Sequence, residues 1–266
     1  MKQLVNVLVP IYQNRLSEND LISFRRCYEM NRKYDITIIK PKGLDLSSIY
    51  NESEGVKEQE FEPYFFDGIE GYNKLMLSPD FYQRFLDYEY ILICQLDTFL
   101  FYDSLEEWCN KNYDYVGAPW ILRPVYQRFP INIFCKIKKI YCELLSLPNR
   151  QKIYFKVGNG GLSLRRTASF YHIAKHDRKT IEYYLSMKNK AHCYNEDVYW
   201  AIESKRILPN FSIPDYKEAL MFAFDKYPAL CYKMNGNKLP YGCHSWTKKK
   251  MNKFWGPIIK SIIGKK

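Results

Sequence analysis

Apolar runs and amphipathic stretches alternate along the first half of the chain. Residues 4–10 (LVNVLVP) predict a first strand. Residues 19–33 carry Leu21, Ile22, Phe24, Cys27, Tyr28 and Met30 at helical spacings and predict a helix. Residues 35–41 (DITIIKP) predict a second strand, stopped by its proline. Residues 42–60 are polar and predict a loop, and residues 72–88 a helix broken near Ser78-Pro79. A short helix over 103–111 and a strand over 114–117 follow the next apolar run. Strands alternating with helices in this order predict an α/β fold with a parallel sheet of the nucleotide-binding type.

The run between them, residues 90–101 (YILICQLDTFLF), holds one carboxylate, Asp97, between apolar stretches. Such a run reads as a buried, parallel strand. A carboxylate at its end is costly to bury without a partner. Ligands of open α/β sheets sit outside the carboxyl ends of the strands. Asp97 is therefore a candidate ligand for a cation that clamps a phosphate. The competing reading is an Asp that caps the next turn.

Residues 120–156 read as an insertion. Within it, residues 129–147 place Ile131, Ile133, Phe134, Ile137, Ile140, Tyr141, Leu144 and Leu145 on helical spacings, with Lys136, Lys138 and Lys139 among them. A core helix and a membrane-facing element both fit this pattern.

Composition narrows the class. With 266 residues, 47% apolar and 26% charged, the chain is an ordinary globular protein of one large or two small domains. Its eight cysteines form no C-x-x-C pair, and Met1-Lys2-Gln3 leads straight into a strand without a signal-peptide pattern. Reduced thiols in a cytosolic setting are the expectation. No stretch approaches the roughly 20 apolar residues of a membrane span. The charge of +11 is concentrated at one end: after Asp225 there are ten lysines and no Asp or Glu. A neutral body with a basic tail points to a surface anchor rather than to nucleic acid. Phe254, Trp255, Ile258, Ile259, Ile262 and Ile263 lie among the tail lysines, the composition of an interfacial helix starting near Gly256-Pro257.

No G-x-G-x-x-G follows the first strand and no G-x-x-x-x-G-K-[ST] is present, which argues against a dinucleotide site and a P-loop. Three other constellations remain. Gly158-Asn159-Gly160-Gly161, leading into LSLRR, permits close approach of a ligand to backbone, or is a tight turn. Asn195-Glu196-Asp197 opens an apolar helix, where two carboxylates also suit the positive helix end. Gly242-Cys243-His244 brings a lone His just before the basic tail.

In this order the residues resemble the GT-A class of nucleotide-sugar glycosyltransferases. More narrowly, the chain is similar to an uncharacterised bacterial group from surface-polysaccharide gene clusters that carries Q-L-D, G-N-G-G-x-S-L-R and N-E-D. The resemblance covers residues 1–247, with 120–156 as a helical insertion and 248–266 as a basic amphipathic tail. It implies a central, mostly parallel mixed sheet flanked by helices. It also implies transfer of a sugar from a nucleotide-sugar, UDP being the commonest carrier, to a saccharide acceptor on a lipid, with inversion at the anomeric carbon. The class holds Mn²⁺ or Mg²⁺ on the donor diphosphate through a D-x-D motif, here Gln95-Leu96-Asp97, in which the first carboxylate is an amide. Asp97 becomes the metal ligand, His244 completes the site, and Gln95 binds a ribose or a metal-bound water. Pro10, Tyr12, Tyr72 and Lys74 fall along the nucleotide and diphosphate, and Gly160 and Gly161 floor the sugar site. Asp197 is the implied base of an inverting transfer, with Glu196 orienting acceptor or metal waters; a retaining transfer is the alternative and would not need this base. The implied location is the cytoplasmic face of the cell membrane, held through the tail, with no nucleic-acid partner. A nucleotidyltransferase of similar fold and a non-catalytic membrane- or nucleic-acid-binding module are the alternatives. The first lacks its glycine-rich signature, and the second leaves Asp97, Glu196, Asp197 and His244 unexplained.

Overall fold

A computed structural model of the protein describes residues 2–47, 55–145, 147–187 and 192–264. Strand β1 (Gln3–Pro10) leads into α1 (Glu18–Asn31), β2 (Asp35–Pro41) and β3 (Lys57–Phe61). Helices α2 (Gly68–Met76) and α3 (Pro79–Gln83) precede β4 (Tyr88–Cys94). Next come β5 (Phe99–Leu100), α4 (Leu105–Asn110), β6 (Tyr115–Gly117) and α5 (Ile131–Leu144). Strand β7 (Leu162–Arg166) is followed by α6 (Thr167–His176), α7 (Arg178–Met187), α8 (Glu196–Ile202) and α9 (Ser204–Ile207). The chain ends with α10 (Tyr216–Phe222), β8 (Ala223–Phe224), α11 (Pro228–Met234), β9 (Gly242–Cys243) and α12 (Lys249–Ile263).

Six strands form one sheet in the order β3-β2-β1-β4-β7-β6. The first four are mutually parallel, whereas β7 runs antiparallel to both β4 and β6. The sheet is thus mixed and mostly parallel. Alternation along β4 commits Tyr90, Leu92 and Cys94 to the apolar layer under α1 and α4. Ile91 and Ile93 face the layer under α2, α3 and α6–α8. This two-sided burial explains why the strand reads as a continuous apolar run.

Several boundaries differ from the sequence reading. Residues 57–60 of the expected loop, with Phe61, form edge strand β3, exposed at Lys57 and Glu58 and buried at Phe61; residues 48–54 lie outside the described set. The helix expected over 72–88 does break at Ser78-Pro79, but its first part starts at Gly68, its second ends at Gln83, and Tyr88 already belongs to β4. The apolar run around Asp97 is two strands, β4 and β5, in different sheets.

The tail also differs. Helix α12 begins at Lys249, well before Gly256-Pro257, and carries Pro257 inside it. Trp255 and Ile259 are buried in a third apolar cluster with Phe101 and Phe224, and Met251, Phe254, Ile258 and Ile262 pack against it. The Trp255 ring stacks on Phe101 with centroids 5.2 Å apart. Most of the tail's apolar side is therefore part of the body, and its lysines, with Pro257, Ser261 and Ile263, face solvent. Among the described residues no helix is long and apolar enough to cross a membrane.

Candidate active site

The second, three-stranded sheet (order β5-β9-β8) makes the site. Antiparallel pairing sets Phe99 opposite Cys243, so the residues just before β5 and just after β9 meet. Asp97 lies two residues before β5 and His244 directly after β9, and His244 Nε2 is 3.0 Å from Asp97 Oδ1. The turn after β4 is closed by Thr98, whose amide and hydroxyl both donate to the Gln95 carbonyl (3.0 and 2.7 Å), so the Asp97 carboxylate is not used as a turn cap.

The glycine motif is pinned against this pair. The Gln95 amide donates to the Gly161 carbonyl (2.9 Å). Asn159 Oδ1 accepts from the amides of Gly161 (2.9 Å) and Leu162 (3.2 Å). The Tyr115 hydroxyl accepts from the Asn159 amide (3.0 Å). A Cβ on Gly161 would meet the His244 ring, and one on Gly160 the Glu196 carboxylate, each well inside the 3.0 Å that real Cβ contacts respect. These glycines let two functional side chains cross the backbone.

His244 Nδ1 lies 3.2 Å from Asp225 Oδ1. Burial lowers the His244 pKa, but the charges of Asp97 and Asp225 outweigh it and raise the pKa to about 10. Burial pushes Asp97 and Asp225 up, yet His244 holds both below the ordinary carboxylate value.

The two carboxylates that open α8 part company. Glu196 is buried and takes a hydrogen bond from Arg165 Nη2 (3.1 Å). Arg165 is fully buried and also donates to Ser163 Oγ (3.0 Å) and the Tyr82 hydroxyl (2.9 Å). Burial raises the Glu196 pKa against the pull of Arg165. The Glu196 amide donates to Asn73 Oδ1 (3.0 Å), which fixes the start of α8 on α2. Asp197 reaches the cleft. Burial and then the Glu196 charge push its pKa up to about 7, against a hydrogen bond from the Val198 amide.

A cleft of about 770 Å³ joins these groups at the carboxyl ends of β1 and β4. Pro10, Tyr12, Tyr72, Gln95, Asp97, Gly160, Gly161, Glu196, Asp197 and His244 all line it. Lys74 does not. It lies 3.4 Å from Glu70 on the exposed side of α2. Residues two apart on a helix point about 200° away from each other, so Tyr72 and Lys74 cannot share a face. The cations at the cleft are instead Lys226, Lys248 and Arg150. Asp225, Asn73, Arg165 and Lys248 were not singled out as site residues in the sequence. Arg165 stands inside the LSLRR stretch, and Asp225 is the last acid before the all-basic end.

Among the described residues no group of three or more His, Cys, Asp or Glu converges on one metal position. Two do suit one. Asp97 Oδ1 and His244 Nε2 pair directly at 3.0 Å. With the imidazole deprotonated, as a ligand must be, this oxygen and nitrogen could hold one divalent ion between them.

The profile of a family described as a protein of unknown function (DUF5672) matches residues 55–244. No curated protein matches the chain. Mouse xyloside xylosyltransferase 1 in its apo form has a similar structure, with a TM-score of 0.51 and 11% identity over 90% of this chain and 96% of that one. The galactosyltransferase LgtC, in complex with donor and acceptor sugar analogues, gives 0.50 and 10% over 98% of this chain and 95% of that one. An active-site mutant of LgtC gives 0.52 at 10% identity, with the same coverage. The fold is that of GT-A glycosyltransferases.

Proposed function

The chain belongs to the DUF5672 family, and we propose that it is a glycosyltransferase that moves a sugar from a nucleoside diphosphate, UDP in the first instance, to a saccharide hydroxyl. The observation that carries this reading is the convergence of Asp97, His244 and Asp197 on one cleft at the carboxyl ends of β1 and β4. A carboxylate of raised pKa in the cleft favours sugar transfer to a hydroxyl over nucleotidyl transfer.

Asp97 and His244 would hold Mn²⁺ or Mg²⁺, which when bound neutralises charge on the donor diphosphate. The rest falls to the chain's own side chains. Tyr12, Tyr72 and Gln95 line the cleft along the nucleotide. Lys226 and Lys248 offset the negative charge that grows on the departing diphosphate. The acceptor hydroxyl oxygen bonds to the anomeric carbon as the bond from that carbon to the phosphate oxygen breaks. The electron pair leaves with the nucleoside diphosphate. The hydroxyl proton passes to Asp197, whose pKa of about 7 suits a base at neutral pH. Attack opposite the departing diphosphate inverts the anomeric centre. Glu196 is a positioning residue: its ion pair with Arg165 fixes the start of α8 and keeps a second carboxylate from competing for the proton.

The acceptor is read as lipid-carried, because Trp120 and Arg150 at the cleft flank a strongly basic segment. A thermal-shift screen of nucleotide-sugars with and without Mn²⁺ tests the donor. Saturation at 100 times Kd adds about 2.7 kcal/mol of stability, so a true donor gives a clear Mn²⁺-dependent shift, and its absence across the panel refutes the reading.

A further inference from the structure

Unlike an ordinary surface helix, α5 carries apolar side chains on its outward face as well as its inward one. Ile131, Cys135 and Cys142 turn towards the body, and Cys142 is buried. The opposite arc consists of Ile133, Phe134, Ile137, Ile140, Tyr141 and Leu144, all exposed, from 44% at Ile133 to 79% at Leu144. Phe129, just before the helix, is 78% exposed. A monomeric protein rarely presents so many large apolar side chains on one continuous face without something to cover them.

Charge selects the cover. At about 100° per residue, Lys136 and Lys138 fall on the two borders of the apolar arc, with Lys139 beyond Lys136. Residues 121–156 contain eight Lys and Arg against the single acid Glu143. A second copy of this chain would bring the same positive rim against itself. A helix with an apolar face bordered by lysines is the geometry of one lying in a bilayer interface, its apolar face among the acyl chains and its lysines among anionic headgroups. The tail cannot supply that face, because Trp255 and Ile259 of α12 are buried in the body.

We infer that the outer face of α5 is a docking surface for an anionic lipid bilayer. Trp120 and Arg150, which flank the segment carrying α5, both line the cleft. The bilayer would therefore lie beside the cleft mouth, where a lipid-carried acceptor could enter. The inference stands on the exposed face and its charge, and holds whether or not the cleft transfers sugar.

The test is sedimentation of the full-length protein with vesicles of phosphatidylcholine plus phosphatidylglycerol, and of phosphatidylcholine alone. The expected result is salt-sensitive partitioning into the anionic vesicles. Lys136→Glu/Lys138→Glu/Lys139→Glu should weaken it at least about 100-fold. Phe134→Ser/Ile137→Ser/Leu144→Ser should weaken it comparably, and both variants should keep the wild-type melting temperature because every changed side chain is exposed. Phe134→Trp should show added emission that brominated acyl chains quench. Failure of the wild type to bind anionic vesicles, equal binding by the variants, or added indole emission that the brominated chains leave unquenched would overturn the proposal. So would a wild-type dimer that the serine variant dissociates.

Discussion

The His244 ring fills the space in which a side chain on Gly161 would have to sit. The absence of a Cβ at Gly161 is thus what permits the imidazole to reach Asp97 at 3.0 Å. Gly161→Ala should push the ring away while leaving the main sheet intact. Overpacking of this kind costs about 1–3 kcal/mol. Misplacing a functional group by about 1 Å can cost about 100-fold in rate. Activity should fall by that order while the far-UV spectrum is kept. Full activity in the alanine variant would show that the His244 position is not critical.

Asp197 should dominate the acid side of the pH profile. It must be deprotonated to accept the acceptor proton, so kcat/KM should rise with pH through about 7. Asp197→Asn should lower kcat by about 10²–10⁴-fold and abolish that limb, with donor binding kept. Stability carries the opposite sign. The folded pKa of about 7 stands above the ordinary 3.8, so between these values the folded state binds more protons than the unfolded one, and stability falls as pH rises. Denaturant titrations should show Asp197→Asn with a flatter stability–pH curve from pH 4 to 7 and a relative gain above it. A wild-type profile flat across that window would remove Asp197 from the role.

The Arg165–Glu196 pair should matter to the fold more than to the proton transfer. Removing one partner strands a buried charge, at a cost of about 3–5 kcal/mol. Arg165→Met should lose this much in urea titrations, and Arg165→Met/Glu196→Leu should recover part of it. A loss under about 1 kcal/mol for the single variant would mean that the pair is solvated.

The basic tail should behave as a structural element. Trp255 is fully buried against Phe101 and Phe224. Trp255→Ala should cost about 3–5 kcal/mol, and deletion after Lys248 should yield an unstable or aggregating protein. A truncated protein with an unchanged melting temperature would show that α12 is dispensable.

The contrast between α5 and α12 shows where the sequence could be read and where it could not. Both helices interleave lysines with large apolar residues, and composition alone made the tail the better anchor. Only tertiary packing reveals that Trp255 finds Phe101, whereas Phe134 finds solvent. Conversely, the apolar run into Asp97 and the glycines after Val157 were legible because burial on both faces and side-chain crossings demand those residue types locally. Asp225 is not legible in the sequence: it follows β8, its partner His244 follows β9, and the β8–β9 pairing that joins them is two residues long. Lys74 was misplaced for a reason the sequence did contain, since helical geometry already separates it from Tyr72.

The most direct test of the central claim is release of nucleoside diphosphate from a panel of nucleotide-sugars, with Mn²⁺ and a saccharide acceptor, by the wild type and by Asp97→Asn. The account predicts turnover of at least one donor by the wild type, abolished by EDTA and by Asp97→Asn, with the variant's melting temperature close to that of the wild type. Undiminished turnover by Asp97→Asn, or no turnover of any donor by well-folded wild-type protein, would contradict it.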